Sequence, residues 1–210
     1  MMLEKRLTRI IQKIDSAEQT IKRKIYYKMF GIPPRPMIKY IKENNSENNE
    51  LVGVEIGTYH GDNALSMLLN LPIKKIYLID PYLNYGGYTD KYGDELSLEP
   101  VFNVAKEKLS KFKDKVAFIR KMSSDAISDI PDNVDFVYID GNHKYEYVKQ
   151  DMEMYYDKVK LGGVLGGHDI DNGFYAEHDG IVKAFIEFMA DKKHYYIQSP
   201  DWWLVKGKEK

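Results

Sequence analysis

Two apolar runs in the second half of the chain end in side chains suited to chemistry. The stretch "DFVYIDGNHKYEYV" places Asp140 and His143 three positions apart just after a hydrophobic segment. The stretch "GGVLGGHD" ends in His168 and Asp169. Carboxylates and imidazoles can accept a proton in a reaction or hold a divalent ion through oxygen and nitrogen. If the two runs are neighbouring strands of a parallel sheet, about 4.8 Å apart, their ends meet at one pocket. Each residue also has a plainer explanation. Asp140 could cap the helix that begins near His143, His143 could be a surface loop residue, and His168 could be a buried, hydrogen-bonded histidine. Their co-location at two strand ends favours a shared site.

A third strand end is bare of such groups. "LVGVEIGTYHGDN" reads as a strand, a glycine turn and a helix start, with Gly57 and Gly61 allowing a sharp turn and close approach of a ligand. The next strand ends in Asp80, 23 positions after Gly57, where an acidic residue can accept from both hydroxyls of a ribose. A dinucleotide would need a second glycine where Tyr59 stands, and Glu55 would repel its pyrophosphate. The same carboxylate suits an ammonium and a sulfonium, so the chemistry favours a methionine-based nucleoside. The expected cradle is Glu55, Gly57, Thr58, Tyr59, Gly61, Asp62 and Asn63, with Asp80 and Pro81 across from it.

These ends must be held by regular elements. Strands are expected at Leu51 to Ile56, Lys75 to Ile79, Val116 to Ile119, Val134 to Ile139 and Gly163 to Gly167. Helices are expected at Asn63 to Leu71, Pro100 to Phe112, Asp125 to Ile130, from about Tyr145 to Val159, and at Ile181 to Ala190. Such alternation implies right-handed crossovers and an α/β, doubly wound, Rossmann-like sheet that is mainly parallel. Two closing strands, Tyr195 to Gln198 and Trp202 to Val205, are joined by "SPD" and should form an antiparallel hairpin at the edge, packed by Trp202 and Trp203 with one of them exposed. Residues 3 to 29 read as an amphipathic helix with a basic face, ended by "GIPPRP". It should pack on the main domain or on a second copy of the chain, or lie on a membrane surface or nucleic acid. "ENNSENNE" reads as a linker, so residues 1–50 form an N-terminal helical extension and linker and residues 51–210 the main domain. Pro81 to Glu99 is a long, tyrosine-rich connection that suits a substrate lid. Phe174, Tyr175 and His178 lie in a second irregular loop that could line an acceptor site.

Composition narrows the classes. The chain has 210 residues, 43% of them hydrophobic, and no cysteine. Disulfide frameworks and thiolate metal sites are therefore excluded, which suits a reducing, cytoplasmic setting. The formal net charge of −1 offers no field that would draw nucleic acid. No run approaches the ~20 apolar residues of a membrane span.

With these residues in view, the chain resembles the class I S-adenosylmethionine-dependent methyltransferases over roughly Leu51 to Val205. "VEIGTYHGDNAL" resembles their first motif, "YLIDPY" their second, and "FVYIDGNHKYEYVKQDMEMYYDKVKLGGVLGGHD" their fourth and fifth. The last stretch is most similar to the small-molecule branch of macrocin-type sugar O-methyltransferases and cephalosporin hydroxylase-like proteins. The resemblance implies a seven-stranded sheet with a reversed last strand. It implies S-adenosyl-L-methionine as cofactor, with Ser123, Ser124 and Asp125 of "KMSSDAI" on the adenine side and Asp140 also near the cofactor. It further implies Asp140 and Asp169 as ligands of Mg²⁺, with His143 as the base. His168 stands where the family often has an acidic ligand, which shifts the expected preference towards Mn²⁺ or another ion that accepts imidazole, or towards no ion. The acceptor implied is a hydroxyl of a small molecule such as a sugar or glycoside. Two rivals are a nicotinamide-dependent oxidoreductase and a non-catalytic binding module on the same fold.

Overall fold

The computed structural model describes residues 33–45, 49–84, 98–171 and 179–207. The chain divides into two units, Met1–Pro33 and Pro34–Lys210. The basic helix expected over 3 to 29, most of the tyrosine-rich connection, and Phe174, Tyr175 and His178 fall outside the described residues.

The second unit starts before the expected boundary at Leu51. Its first element is a helix absent from the sequence reading, α1 (Pro36–Asn44). The proline-rich stretch expected to end the preceding helix also starts one: Pro36 begins it, at a position where the missing N–H has no intrahelical partner to lose. Met37, Ile38 and Ile41 are buried, so this segment belongs to the core and not to a linker. Burying three such side chains is worth several kcal/mol, at about 1.5–3 kcal/mol each. Asp201 accepts a hydrogen bond from the Met37 N–H at 3.0 Å and ties the helix start to the sheet.

The remaining elements alternate. They are β1 (Leu51–Ile56), α2 (Asp62–Asn70), β2 (Ile73–Ile79), α3 (Glu99–Lys108), β3 (Val116–Ile119), α4 (Ser123–Ala126), β4 (Val134–Ile139), α5 (Tyr145–Lys158), β5 (Val159–Gly167), α6 (Asp179–Met189), β6 (Tyr195–Gln198) and β7 (Asp201–Val205). The sheet order is β3-β2-β1-β4-β5-β7-β6. The first five strands pair in parallel, and β7 lies antiparallel to both β5 and β6. The reversed strand is thus next to last in space, with β6 at the edge. Expected boundaries shift where tertiary pairing extends an element: β5 starts at Val159, because that residue pairs with Val134. Helix α3 ends at Lys108, and Ser110–Phe112 continues as a 3₁₀ turn.

Strand alternation divides the core into two layers. Phe136 and Tyr138 of β4 face the layer holding Met37, Ile38 and Met67. Val137 and Ile139 face the layer holding Val148, Met152 and Ile181. Trp202 and Trp203 are both buried, one on each layer, which corrects the expectation that one is exposed. Among the described residues, no helix is long and apolar enough to cross a membrane.

Candidate active site

Strand order reverses between β1 and β4, and in a parallel sheet that is where the loops part to leave a crevice. Gly57 shows how tightly the two loops approach. Its φ is +85°, and a Cβ there would lie 2.0 Å from the Asp140 carbonyl oxygen. Only glycine fits, on both counts. Gly61, with φ +73°, starts α2 in the same left-handed region.

A cavity of about 370 Å³ opens at these carboxyl ends. Of the expected cradle, Gly57, Thr58, Tyr59, Asp62 and Asn63 line it, with Asp80, Pro81, Ser123 and Asp140. Glu55 and Gly61 are not on its wall. Ser124 and Asp125 are not brought to it either, because α4 turns them away and leaves Asp125 exposed. The Asp62 carboxylate pairs with Lys108 at 2.6 Å and is well exposed.

Asp80 has a structural task at this end. One oxygen accepts the Tyr59 N–H at 2.9 Å and the other the Tyr82 N–H at 2.8 Å. Both tyrosines have positive φ, 46° and 51°. Such backbone is costly for a bulky residue and persists where its surroundings hold it. Here Asp80 grips both donors, and the Tyr82 hydroxyl donates to the Tyr59 carbonyl at 3.1 Å. Carboxylate oxygens carry further lone pairs, so Asp80 can still accept from a ligand hydroxyl.

Glu55 is buried just behind the wall. Its Oε1 accepts from the Asn63 amide at 2.9 Å, while its Oε2 and the Asn63 Oδ1 have no hydrogen-bond partner. Burial pushes its pKa up to about 8, the charge of Asp140 adds to the rise, and Asn63 and Arg35 partly offset it.

The second strand end is a network of charges. Asp140 turns Oδ2 towards Arg35, 2.7 Å from Nη1, and Oδ1 towards the histidines. His143 Nε2 lies 3.9 Å from Asp140 Oδ1 and 3.3 Å from Asp169 Oδ2. His168 Nδ1 lies 2.9 Å from Asp169 Oδ1 and 3.9 Å from Asp140 Oδ1. Burial lowers the pKa of His168, but its contact with Asp169 and the charge of Asp140 outweigh burial and raise it.

Ligand atoms of Asp140, His143 and Asp169 lie within 4.8 Å of one another, and His168 is outside that group. Both histidines border a small recess with Val148, Ile181 and Trp202, and His143 also lines the main cavity. Two carboxylate oxygens and one imidazole nitrogen suit a divalent ion such as Mn²⁺ better than Mg²⁺.

Two charged residues at the cavity escape the sequence reading. Asp151 of α5 is 2% exposed and lines the cavity with Oδ1 unpartnered, and burial pushes its pKa up to about 7. Its signal was present: it follows Val148 by three positions, on the apolar face of the helix. Arg35 also lines the cavity, reaching Asp140 across 105 residues of chain, and no local pattern announces it.

Comparison with known proteins agrees with this geometry. The family described as "Methyltransferase domain" matches residues 54–170. An uncharacterized protein of Acanthamoeba polyphaga mimivirus is 31% identical over 153 residues, which is 70% of this chain; the chain spans 63% of that relative's length. An O-methyltransferase from Bacillus cereus, solved in complex with SAH, superposes with a TM-score of 0.59 at 15% identity, covering 90% of each chain. The O-methyltransferase TomG from Streptomyces achromogenes, involved in tomaymycin synthesis and solved with SAM, gives 0.58 at 16% identity, covering 89% of this chain and 88% of that one. At these identities the two structures speak for the fold, and none of the matches favours the oxidoreductase reading.

Proposed function

Because the chain belongs to the methyltransferase-domain family, we propose that it is an S-adenosylmethionine-dependent O-methyltransferase acting on a hydroxyl of a small molecule, with a sugar or glycoside as the leading class. The observation that carries this reading is the pairing of a nucleoside-sized cavity of about 370 Å³ with the cluster of Asp140, His143 and Asp169 at its edge. The cofactor's ribose would lie at Asp80 and its adenine towards Ser123. Its sulfonium would face the Asp140 turn.

Transfer is a displacement at the methyl carbon. When bound, the cofactor would supply a methyl group on a sulfonium, passing it to the acceptor oxygen as the S–CH₃ bond breaks and leaving as a neutral thioether. The hydroxyl proton must go elsewhere, and His143 Nε2, on the cavity wall between two carboxylates, is the group assigned to take it. Asp169 and Asp140 lie against the imidazole, 3.3 and 3.9 Å from Nε2. A divalent ion, Mg²⁺ or Mn²⁺, would be held by Asp140 and Asp169 and would supply positive charge that favours an ionised acceptor. The Nε2 atom of His143 cannot ligate an ion and accept a proton together; the base role is the one proposed here.

Turnover of S-adenosylmethionine with a panel of hydroxylated small molecules tests the reading. His143→Ala is expected to lower the rate ~10²–10⁴-fold, the range for a general base. Full activity in that variant, with loss in Asp140→Ala and Asp169→Ala, would move the work to a bound ion. No turnover with any acceptor, together with tight binding of NADH, would overturn the reading. The cavity also suits a cofactor-binding module without catalysis, for which binding without turnover would be the sign.

A further inference from the structure

Arg35 is the one arginine or lysine on the cavity wall among the described residues. It stands at the entrance to α1, outside the region expected to form the domain. A buried chain of hydrogen bonds fixes its position. Asp201, fully buried at the start of β7, accepts the Met37 N–H through Oδ2 at 3.0 Å and the Tyr138 hydroxyl through Oδ1 at 2.7 Å. The Tyr138 oxygen in turn accepts from Arg35 Nη1 at 3.0 Å, and Asp140 Oδ2 accepts from the same nitrogen at 2.7 Å. The guanidinium also lies over the Tyr138 ring, 5.5 Å from its centre. Nη1 has two hydrogens and meets two acceptors, so withdrawing the side chain would leave both acceptors short of that donor.

This arginine bears on how the charged cluster can treat a divalent ion. Each carboxylate already has one oxygen engaged. Asp140 Oδ2 is held by Arg35, and Asp169 Oδ1 lies 2.9 Å from His168 Nδ1. The remaining oxygens, Asp140 Oδ1 and Asp169 Oδ2, are the ones turned to His143 Nε2, at 3.9 and 3.3 Å. Each carboxylate can therefore offer an ion one oxygen and not two, unless a neighbour gives way. Charge acts in the same direction. The guanidinium is always protonated and cancels the charge of one of the two carboxylates. Hard ions draw their affinity from ligand charge, so a cluster half neutralised in this way holds them less tightly.

Weak ion binding has a use at this site. His143 Nε2 can ligate an ion or take the acceptor's proton, and a resident ion would occupy the base. A fixed guanidinium on the far oxygen of Asp140 balances charge without touching that nitrogen.

We propose that Arg35 is the resident counter-cation of the cluster: it neutralises Asp140, keeps divalent ions at low occupancy and so leaves His143 Nε2 to the base role. This rests on the ion and base assignments above and decides between them. Tyr138 and Asp201 are positioning residues, since they act through Arg35.

Titration with Mn²⁺ alone, followed by electron paramagnetic resonance, tests this without any turnover. The wild-type protein should bind Mn²⁺ only at about 10⁻⁴–10⁻³ M, the weak end for oxygen-ligand sites of low charge. Arg35→Gln should bind it about 10- to 100-fold more tightly, the effect of removing one nearby unit charge from a half-buried site. Arg35→Lys, which keeps the charge, should stay within about threefold of the wild type. Adding Asp169→Asn to Arg35→Gln should abolish the gain, which places the ion at this cluster. Micromolar binding by the wild-type protein would overturn the proposal, and that measurement requires no variant to fold. An affinity in Arg35→Gln equal to or below that of the wild type would also overturn it, reducing Arg35 to a support for Asp140. So would an equal gain in Arg35→Lys, or a gain that survives Asp169→Asn. Absence of binding in every one of these proteins would overturn the ion assignment together with the proposal. Isothermal titration with S-adenosylhomocysteine stands apart from both and reports on the cofactor assignment alone.

Discussion

The ends of β1 and β4 lie side by side in the sheet yet are built on opposite plans. The β1 end is made of backbone: two left-handed glycines, a tyrosine held at positive φ, and amide groups gripped by Asp80. The β4 end is made of charge: Asp140, His143 and Asp169 converge there, with Arg35 drawn in from far along the chain. A backbone surface can lie close against a ligand and hold it still. A charged cluster can move a proton. The two ends meet where Gly57 approaches the Asp140 carbonyl and where the Asp140 N–H donates to the Ile56 carbonyl at 2.8 Å, and these contacts fix their separation.

Substitution at this contact should have the largest effect. In Gly57→Ala the added Cβ would lie 2.0 Å from the Asp140 carbonyl oxygen, so one loop must move. The prediction is loss of both cofactor binding and turnover, with thermal stability reduced as well. Strained backbone and a forced shift together cost on the order of 1–3 kcal/mol or more. Normal binding in this variant, measured by titration with S-adenosylhomocysteine, would show that the two ends are not mechanically tied.

A subtler probe separates the ends by pH. Glu55 has its pKa pushed up to about 8 in the folded chain, above the usual carboxylate range of the unfolded chain. The folded state therefore holds a proton that the unfolded state has released, and stability contributed by this group is lost as pH rises towards 8. Asp151, pushed up to about 7, acts in the same direction. Thermal unfolding followed from pH 5 to pH 8 should show stability falling, with a slope of up to about 1.4 kcal/mol per pH unit for each proton involved. Glu55→Gln should flatten the upper part of that slope. A slope unchanged by Glu55→Gln would contradict the assignment of the buried proton.

The two ends were also unequally legible in the sequence. The β1 end is local. A strand, a glycine turn and a helix start follow one another in thirteen residues, and Asp80 comes at the end of the next strand, so pattern reading recovers it. The titratable residues of the β4 end were legible as types, since Asp140 and His143 share one turn and His168 and Asp169 another. Their geometry was not. Both histidines lie near both carboxylates, and the group within 4.8 Å is Asp140, His143 and Asp169, whereas His168 was read as the third candidate ligand. Arg35 could not be read at all. Its approach depends on α1, whose start was hidden because "PPRP" reads as a helix stop when it is also a permitted helix start. The same misreading placed the domain boundary at Leu51, although Met37, Ile38 and Ile41 are buried in the sheet's core. The edges of α4, which leave Ser124 and Asp125 off the cavity wall, were likewise a matter of packing.

The division of labour between the two ends is tested most directly by titrating S-adenosylhomocysteine into the wild-type protein, Asp80→Ala and His143→Ala in parallel. Asp80→Ala removes the acceptor proposed for the ribose hydroxyls and the grip on Tyr59 and Tyr82, and should weaken binding by on the order of 2–3 kcal/mol. His143→Ala removes the proposed proton acceptor, which the bound product does not need, and should leave the dissociation constant within about threefold. An unchanged dissociation constant in Asp80→Ala, or an equal loss in both variants, would contradict the account.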